Sequence, residues 1–288
     1  MSVQANSSLA GNSLAAVIIR GLVKSENGSD MDLHLIRTPP EAQNCVQFVQ
    51  SRREGVALSE MPARPSSTLP EPGNAVLIVR LKEGLGKGRA GAVHDVEICA
   101  CSTPFDIPPL VVKVANRDFC DDLSKEAWLY EEMESLQGVA VPRYYGYFLA
   151  ELPPHAKVAS WNRIATTKFP ISILLLERLG GKLPLGRPIP QNLQDDLWDV
   201  MKDISELHIF NDDIRYDNVL LAPKSPPALP SLVSPYRHRS YGLRLVDFDT
   251  AYKINFYPHI LVEDHEELIR LILDNVPQGG TVNPSDRD

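Results

Sequence analysis

Asp213-Ile-Arg-Tyr-Asp-Asn218 is the stretch on which the reading of the fold turns. An acid stands first, a cation follows two residues on at Arg215, and an amide five residues on at Asn218. A tight loop with that spacing gathers a carboxylate, a guanidinium and an amide oxygen. Those groups suit an attacking hydroxyl, a phosphate and a divalent metal. The apolar run Val219-Leu-Leu221 then reads as a strand, and Leu243-Arg-Leu-Val246 reads as a second one. The second strand delivers Asp247-Phe248-Asp249, whose first acid is a candidate metal ligand. Between the strands lies a Pro-rich insert, 222–241, ending near Arg237-His-Arg239. It reads as a solvated loop or as a segment that binds a substrate.

Upstream, Gly86-Lys-Gly-Arg-Ala-Gly-Ala-Val93 follows the pattern G-x-G-x-x-G-x-V. Gly86, Gly88 and Gly91 would let the backbone approach phosphate oxygens without a Cβ in the way. A dinucleotide-binding turn uses the same glycines but opens a helix, whereas Val93, Val96 and Ile98 read as a returning strand. Lys113 lies in Val111-Val-Lys-Val-Ala115, and a lysine so flanked must either snorkel or meet an anion. Apolar residues at helical spacing (Leu123, Ala127, Tyr130, Met133, Leu136) predict a helix over 122–137. It offers Glu126 as a partner for Lys113, with Glu131 and Glu132 as competitors. Glu177 ends the apolar strand Ile171–Leu176, ahead of Gly180 and Gly181. A helix is expected at 191–208 and another at 264–274.

In this order the motifs resemble the protein-kinase-like superfamily over roughly residues 76–270, and the chain looks similar to short fungal kinase-like proteins. The resemblance implies an α+β, two-lobed protein-kinase-like fold with a truncated C-terminal lobe. It implies a phosphotransferase that moves the γ-phosphoryl group of ATP, with Mg²⁺, to a hydroxyl acceptor. The acceptor so implied is a protein Ser or Thr. A small molecule, as in choline- and aminoglycoside-kinase-like enzymes, is the alternative, and so is a pseudokinase binding module. In that family the lysine matched by Lys113 is oriented by the glutamate matched by Glu126. Gly86, Gly88, Gly91, Val93, Lys113, Glu177 and Leu179 would then surround the nucleotide. Asp213 would be the base, Arg215 would face the γ-phosphate, and Asn218 and Asp247 would hold metal. The sequence departs from the family at Asn211, where a histidine is usual, and at Asp249, where D-F-G has glycine. His208 reads as a helix-end residue and not as a replacement for that histidine. Only 39 residues follow Asp249, and no A-P-E appears.

The organisation expected from this reading is an irregular extension at 1–75, an N-lobe and hinge at 76–180, a helical C-lobe at 181–276 and a flexible tail at 277–288. Ser, Asn, Gly and Pro are frequent in the extension, and the segment Pro40–Arg53 is expected to form one amphipathic helix. The chain has 288 residues, 43% of them hydrophobic, and a formal charge of −8. That charge argues against a nucleic-acid or anionic-membrane partner. No apolar run is long enough to span a membrane, and Leu14–Ile19 is too short and lacks the basic flank of a signal peptide. The cysteines, Cys45, Cys99, Cys101 and Cys120, are sparse and complete no metal pattern, which suits a reducing cytoplasm or nucleus. The sequence gives no sign of oligomeric state.

Overall fold

A computed structural model describes residues 7–164, 166–224 and 226–281. They divide into two compact units, one of residues 7–41, 68–127 and 143–178, the other of 42–67, 128–142 and 179–281.

The first unit is a closed barrel of seven strands. They are β1 (Leu14–Lys24), β2 (Asp30–Arg37), β3 (Ala75–Lys87), β4 (Gly91–Cys101), β5 (Leu110–Ala115), β6 (Tyr144–Leu152) and β7 (Phe169–Glu177). The order around the ring is β1-β2-β6-β7-β5-β4-β3, and β3 returns to β1. Every neighbour is antiparallel except β1 and β3, which run parallel from Leu14 opposite Ala75 to Arg20 opposite Arg80. Strands that alternate in direction cannot close a ring of odd number, so a seven-stranded ring needs such a parallel seam. Period-two burial fills the interior with Leu14, Val17, Ile19, Leu77, Val79, Val112, Val114, Ile171, Ile173 and Leu175. The opposite set on β5, including Lys113, faces outward.

This architecture overturns the expected two-lobed kinase-like fold. The protein is mostly sheet built around a closed barrel, with three α-helices among the described residues. The decisive difference lies in the segment read as an irregular extension. Residues 14–24 and 30–37 are the strands that close the ring. Arg20 ends the apolar run Leu14–Ile19, and Gly21 after it sits at φ +80°, where the register of β1 on β2 shifts between Ile19 and Val23. A bulge with a left-handed glycine lets one strand continue past such a break. The helix expected at Pro40–Arg53 is absent too. Val46–Gln47 is a short strand parallel to Tyr252–Ile254, and the buried Asn255 side chain holds both Val49 and Leu58.

α1 (Cys120–Glu132) begins in the barrel unit, and the remaining helices belong to the second unit. α2 (Gln191–Glu206) buries Leu193, Leu197, Val200, Met201 and Ile204 on one face. It packs against α3 (Pro258–Asn275), which buries Leu261, Leu268, Ile269 and Ile272. Short strands complete the unit: β8 (Ile209–Phe210), β9 (Val219–Leu221), β10 (Leu243–Leu245) and β11 (Tyr252–Ile254). β9 pairs antiparallel with β10, and β8 with β11. The chain beyond α3 makes a turn at Val276–Gln278 and ends it at Gly279, while 282–288 of the expected tail lie outside the described residues. No described helix is long and apolar enough to cross a membrane, and all four cysteines are free thiols.

Most of the described residues of the insert at 222–241 are exposed or half-buried, in keeping with a solvated loop, but its end is fastened to α2. Asp196, Asp199, Asp203 and Glu206 form one acidic ridge at three- and four-residue spacing. Arg239 reaches Asp196 at 2.6 Å and Asp199 at 2.9 Å, and Arg237 reaches Asp203 at 3.3 Å. The Tyr241 hydroxyl donates to Asp203 at 2.7 Å.

His208 ends α2 in the left-handed region, at φ +59°, with Nδ1 donating to the Phe256 carbonyl at 2.7 Å. Burial lowers its pKa. The Phe256 bond opposes that shift, the nearby Lys253 charge adds to it, and Glu206 opposes it. A histidine depressed in the folded state contributes stability above its unfolded value, about 6.5, and that contribution is lost as pH falls through the folded value. Stability measured by urea unfolding should therefore decline below about pH 6.5. His208→Asn keeps a residue tolerant of this backbone and should flatten the decline. His94 is lowered by burial as well, so part of the slope should survive the substitution. An unchanged slope would assign the acid lability elsewhere.

Candidate functional site

In the second unit, the β9–β10 hairpin brings the two acidic motifs together. Asp213 precedes β9 and Asp247 follows β10, and Val246 N–H donates to the Asn218 carbonyl at 3.0 Å. Asp213, Asp247 and Asp249 each offer a carboxylate oxygen, and these oxygens lie within 4.8 Å of one another. Three hard oxygen donors at that spacing suit a small divalent cation such as Mg²⁺ or Mn²⁺.

Local structure holds each member in place. Asn211 stands where the resemblance led one to look for histidine, and its side-chain oxygen accepts the Asp213 N–H at 3.1 Å. The Asn211 N–H in turn donates to Nε2 of the fully buried His265, which stacks on Phe210 at 4.9 Å. Asn218 Nδ2 donates to the Asp213 carbonyl at 3.0 Å, so this amide braces the loop across its five-residue span. Phe248 is completely buried and meets Tyr130 edge-on at 5.5 Å, which anchors the acids on either side of it. Asp247 itself adopts φ +69°. The left-handed region costs a residue with a Cβ roughly 1–2 kcal/mol, and such strain collects at functional positions.

The electrostatics are those of a crowded anionic site. Burial raises the Asp213 pKa above the ordinary carboxylate range. Arg215 pulls it back, and the neighbouring Asp247 and Asp212 push it up again. Arg215 places its guanidinium on the Asp213 carboxylate. Burial works against the Arg215 charge, but Asp213, Asp247 and Asp249 outweigh it and hold the cation more firmly than usual.

The other candidates lie in the barrel unit, with one exception. Lys113 Nζ meets Glu126 at 2.5 Å, with both side chains buried. Its competitors are otherwise engaged: Glu131 with Arg64, and Glu132 with Lys253 at 2.6 Å. Gly86 lies in β3 opposite Val93 of β4, so the returning strand read from Val93, Val96 and Ile98 is present. Gly88 N–H closes the hairpin on the Gly91 carbonyl at 2.8 Å. At Gly91 an added Cβ would lie 2.6 Å from the Val114 carbonyl, so this glycine is required by the approach of β4 to β5. Glu177 is buried and its carboxylate takes Arg143 at 2.5 Å, while the Glu177 and Arg178 N–H groups go to the Arg143 and Pro109 carbonyls. Those two donors are therefore already bonded. Leu179, the exception, opens the second unit and is half-buried.

Asp213, Arg215, Asn218 and Asp247 are thus gathered as expected. Asp249 was missed. It had been weighed only as a lost glycine, yet its carboxylate is buried and completes the acidic group. A third acid two residues after Asp247 was the signal that could have revealed it. No family model and no curated protein matches this chain.

Proposed function

We propose that this chain is a phosphotransferase that moves the γ-phosphoryl group of ATP to a hydroxyl acceptor with a divalent cation, Mg²⁺ first. The observation that carries the proposal is the meeting of Asp213, Asp247 and Asp249 beside Arg215 and the braced amide of Asn218. The proposal rests on the chemistry of these groups and not on the fold. A cation held there would neutralise charge on the phosphates. Asp247 and Asp249 are the residues best disposed to hold it. Asp213 has the reach and the raised basicity to accept a hydroxyl proton. The acceptor class, protein Ser or Thr before small molecules, comes from the motif resemblance alone.

A second reading has its own support. The Arg215 guanidinium lies on the Asp213 carboxylate, which would compete with a hydroxyl for that oxygen. This favours a module that binds metal and nucleotide without transfer. Transfer of γ-labelled phosphate from Mg²⁺–ATP, with peptide and metabolite pools as acceptors, separates the two. Label from wild type and none from Asp213→Asn is the expected result, and the labelled pool names the acceptor class. Folded wild-type protein that binds Mg²⁺–ATP but labels nothing would establish the binding module instead.

A further inference from the structure

The barrel unit carries a cleft of about 250 Å³ whose lining includes Lys87, Arg117, Asp118, Ser160, Trp161 and Arg163. Three cations against one carboxylate give its lining a positive balance, in a chain whose overall charge is −8. Local charge opposed to the net charge of a protein marks a place where a partner of the other sign is drawn in. Three separate segments supply the cations: the glycine hairpin, the turn before α1, and the loop that precedes β7.

These segments are pinned. The Trp161 indole N–H donates to the Ala115 carbonyl at 2.8 Å and its ring meets Phe169 edge-on at 5.7 Å. The Arg117 guanidinium lies over the same Phe169 ring at 5.0 Å. The Asn116 amide donates to the Gly88 and Arg89 carbonyls at 2.9 and 2.7 Å, which fastens the hairpin tip. Arg117 Nε lies 3.9 Å from Asp118 Oδ1, beyond hydrogen-bond reach, and the other two cationic heads are without a carboxylate among the described residues. Lys87 reaches only neutral oxygens, Ser160 O at 3.4 Å and Asn162 Oδ1 at 3.5 Å. Neither Lys87 nor Arg163 meets a carboxylate among the described residues. Two buried polar atoms in the lining, Arg117 Nε and Ser160 Oγ, have no hydrogen-bond partner among the described residues. Both can donate, and a buried donor left without an acceptor is costly.

We propose that this cleft binds a small phosphate-class oxyanion, with Lys87, Arg117 and Arg163 neutralising its charge and Ser160 Oγ donating to it. Its volume falls below the roughly 300–1,000 Å³ of drug-sized pockets, which suits a phosphate or diphosphate group and not a whole nucleotide. The cleft is lined by residues of the barrel unit alone, and its proposal does not depend on the phosphotransfer proposal.

The test is calorimetric titration of the full chain with sodium pyrophosphate at fixed ionic strength, with chelator present to remove divalent metal. Saturable binding to one site is expected, with quenching of Trp161 fluorescence that Trp161→Phe abolishes. Arg163→Gln should weaken it about ten- to a hundredfold, the usual worth of a charge-assisted contact. Lys87→Gln/Arg163→Gln should lose more, and both positions are exposed, so the variant should fold as wild type does. Asp247→Asn should bind pyrophosphate unchanged even if its transferase activity is gone. No saturable binding up to about 10 mM (a contribution under about 3 kcal/mol), or equal binding by the double variant, would overturn the proposal.

Discussion

Asp247→Asn is expected to lower divalent-cation affinity by at least about a hundredfold and metal-dependent phosphoryl transfer with it. Removing groups that merely orient a metal ligand already costs about ten- to a hundredfold, and in the proposed site Asp247 would offer its oxygen to the ion directly. An amide keeps the volume and one oxygen but gives up the charge. It also tolerates the left-handed backbone that position 247 requires, so the fold should survive. The check is Mn²⁺ titration of wild type and variant, followed by label transfer at saturating metal. Asp249→Asn should lose affinity to a similar degree, because its buried carboxylate lies in the same group. Unchanged Mn²⁺ affinity in both variants would mean that the three acids are not a metal site.

The second large effect falls on stability. Glu132 and Lys253 make an ion pair at 2.6 Å, with each side chain only 6% exposed. Taking one partner away leaves a bare charge in a medium that solvates it poorly, which typically costs 3–5 kcal/mol. Glu132→Gln should thus shift urea unfolding by about that amount. The paired replacement Glu132→Leu/Lys253→Met removes both charges and should recover most of the loss. The comparison is informative because the two outcomes have different causes. A large single-variant loss with recovery assigns the cost to the stranded charge. A loss that persists in the pair assigns it to packing. A single-variant loss under about 1 kcal/mol would be the behaviour of a solvated surface pair, at odds with the burial of this one.

The acidic site was legible because its parts are close in sequence and chemically specific. The five-residue step from Asp213 to Asn218, and the acid delivered by an apolar strand at Asp247, need no knowledge of the fold to be noticed. The Lys113–Glu126 pair was legible for a related reason, since a lysine in an apolar strand demands an anion and the next helix supplies one. The barrel was not legible. Its seam joins Leu14–Arg20 to Ala75–Arg80, and a pairing over that separation leaves no local periodic mark. A surplus of Ser, Asn, Gly and Pro around the first two strands pointed toward loop, and Arg20-Gly21 cut short the apolar run that starts at Leu14. The fastening of the insert's end was not legible because the acids that answer Arg237 and Arg239 lie far upstream, on a helix whose sequence shows an ordinary apolar face. Asp196 and Asp203 of that helix are buried, which no amphipathic pattern foretells.

The parallel seam also bears on how the chain reaches its native state. During synthesis β1 and β2 emerge together and can form a hairpin at once. The free flank of β1 then waits for β3, and that of β2 waits for β6, which is more than a hundred residues further along the chain. Until both arrive, the nascent hairpin presents two unsatisfied ladders, the condition under which strands recruit neighbours from other chains. Loop closure over such distances makes the ring slow to complete. Residues 14–37 are therefore the earliest part of this sheet to exist and among the last to be protected.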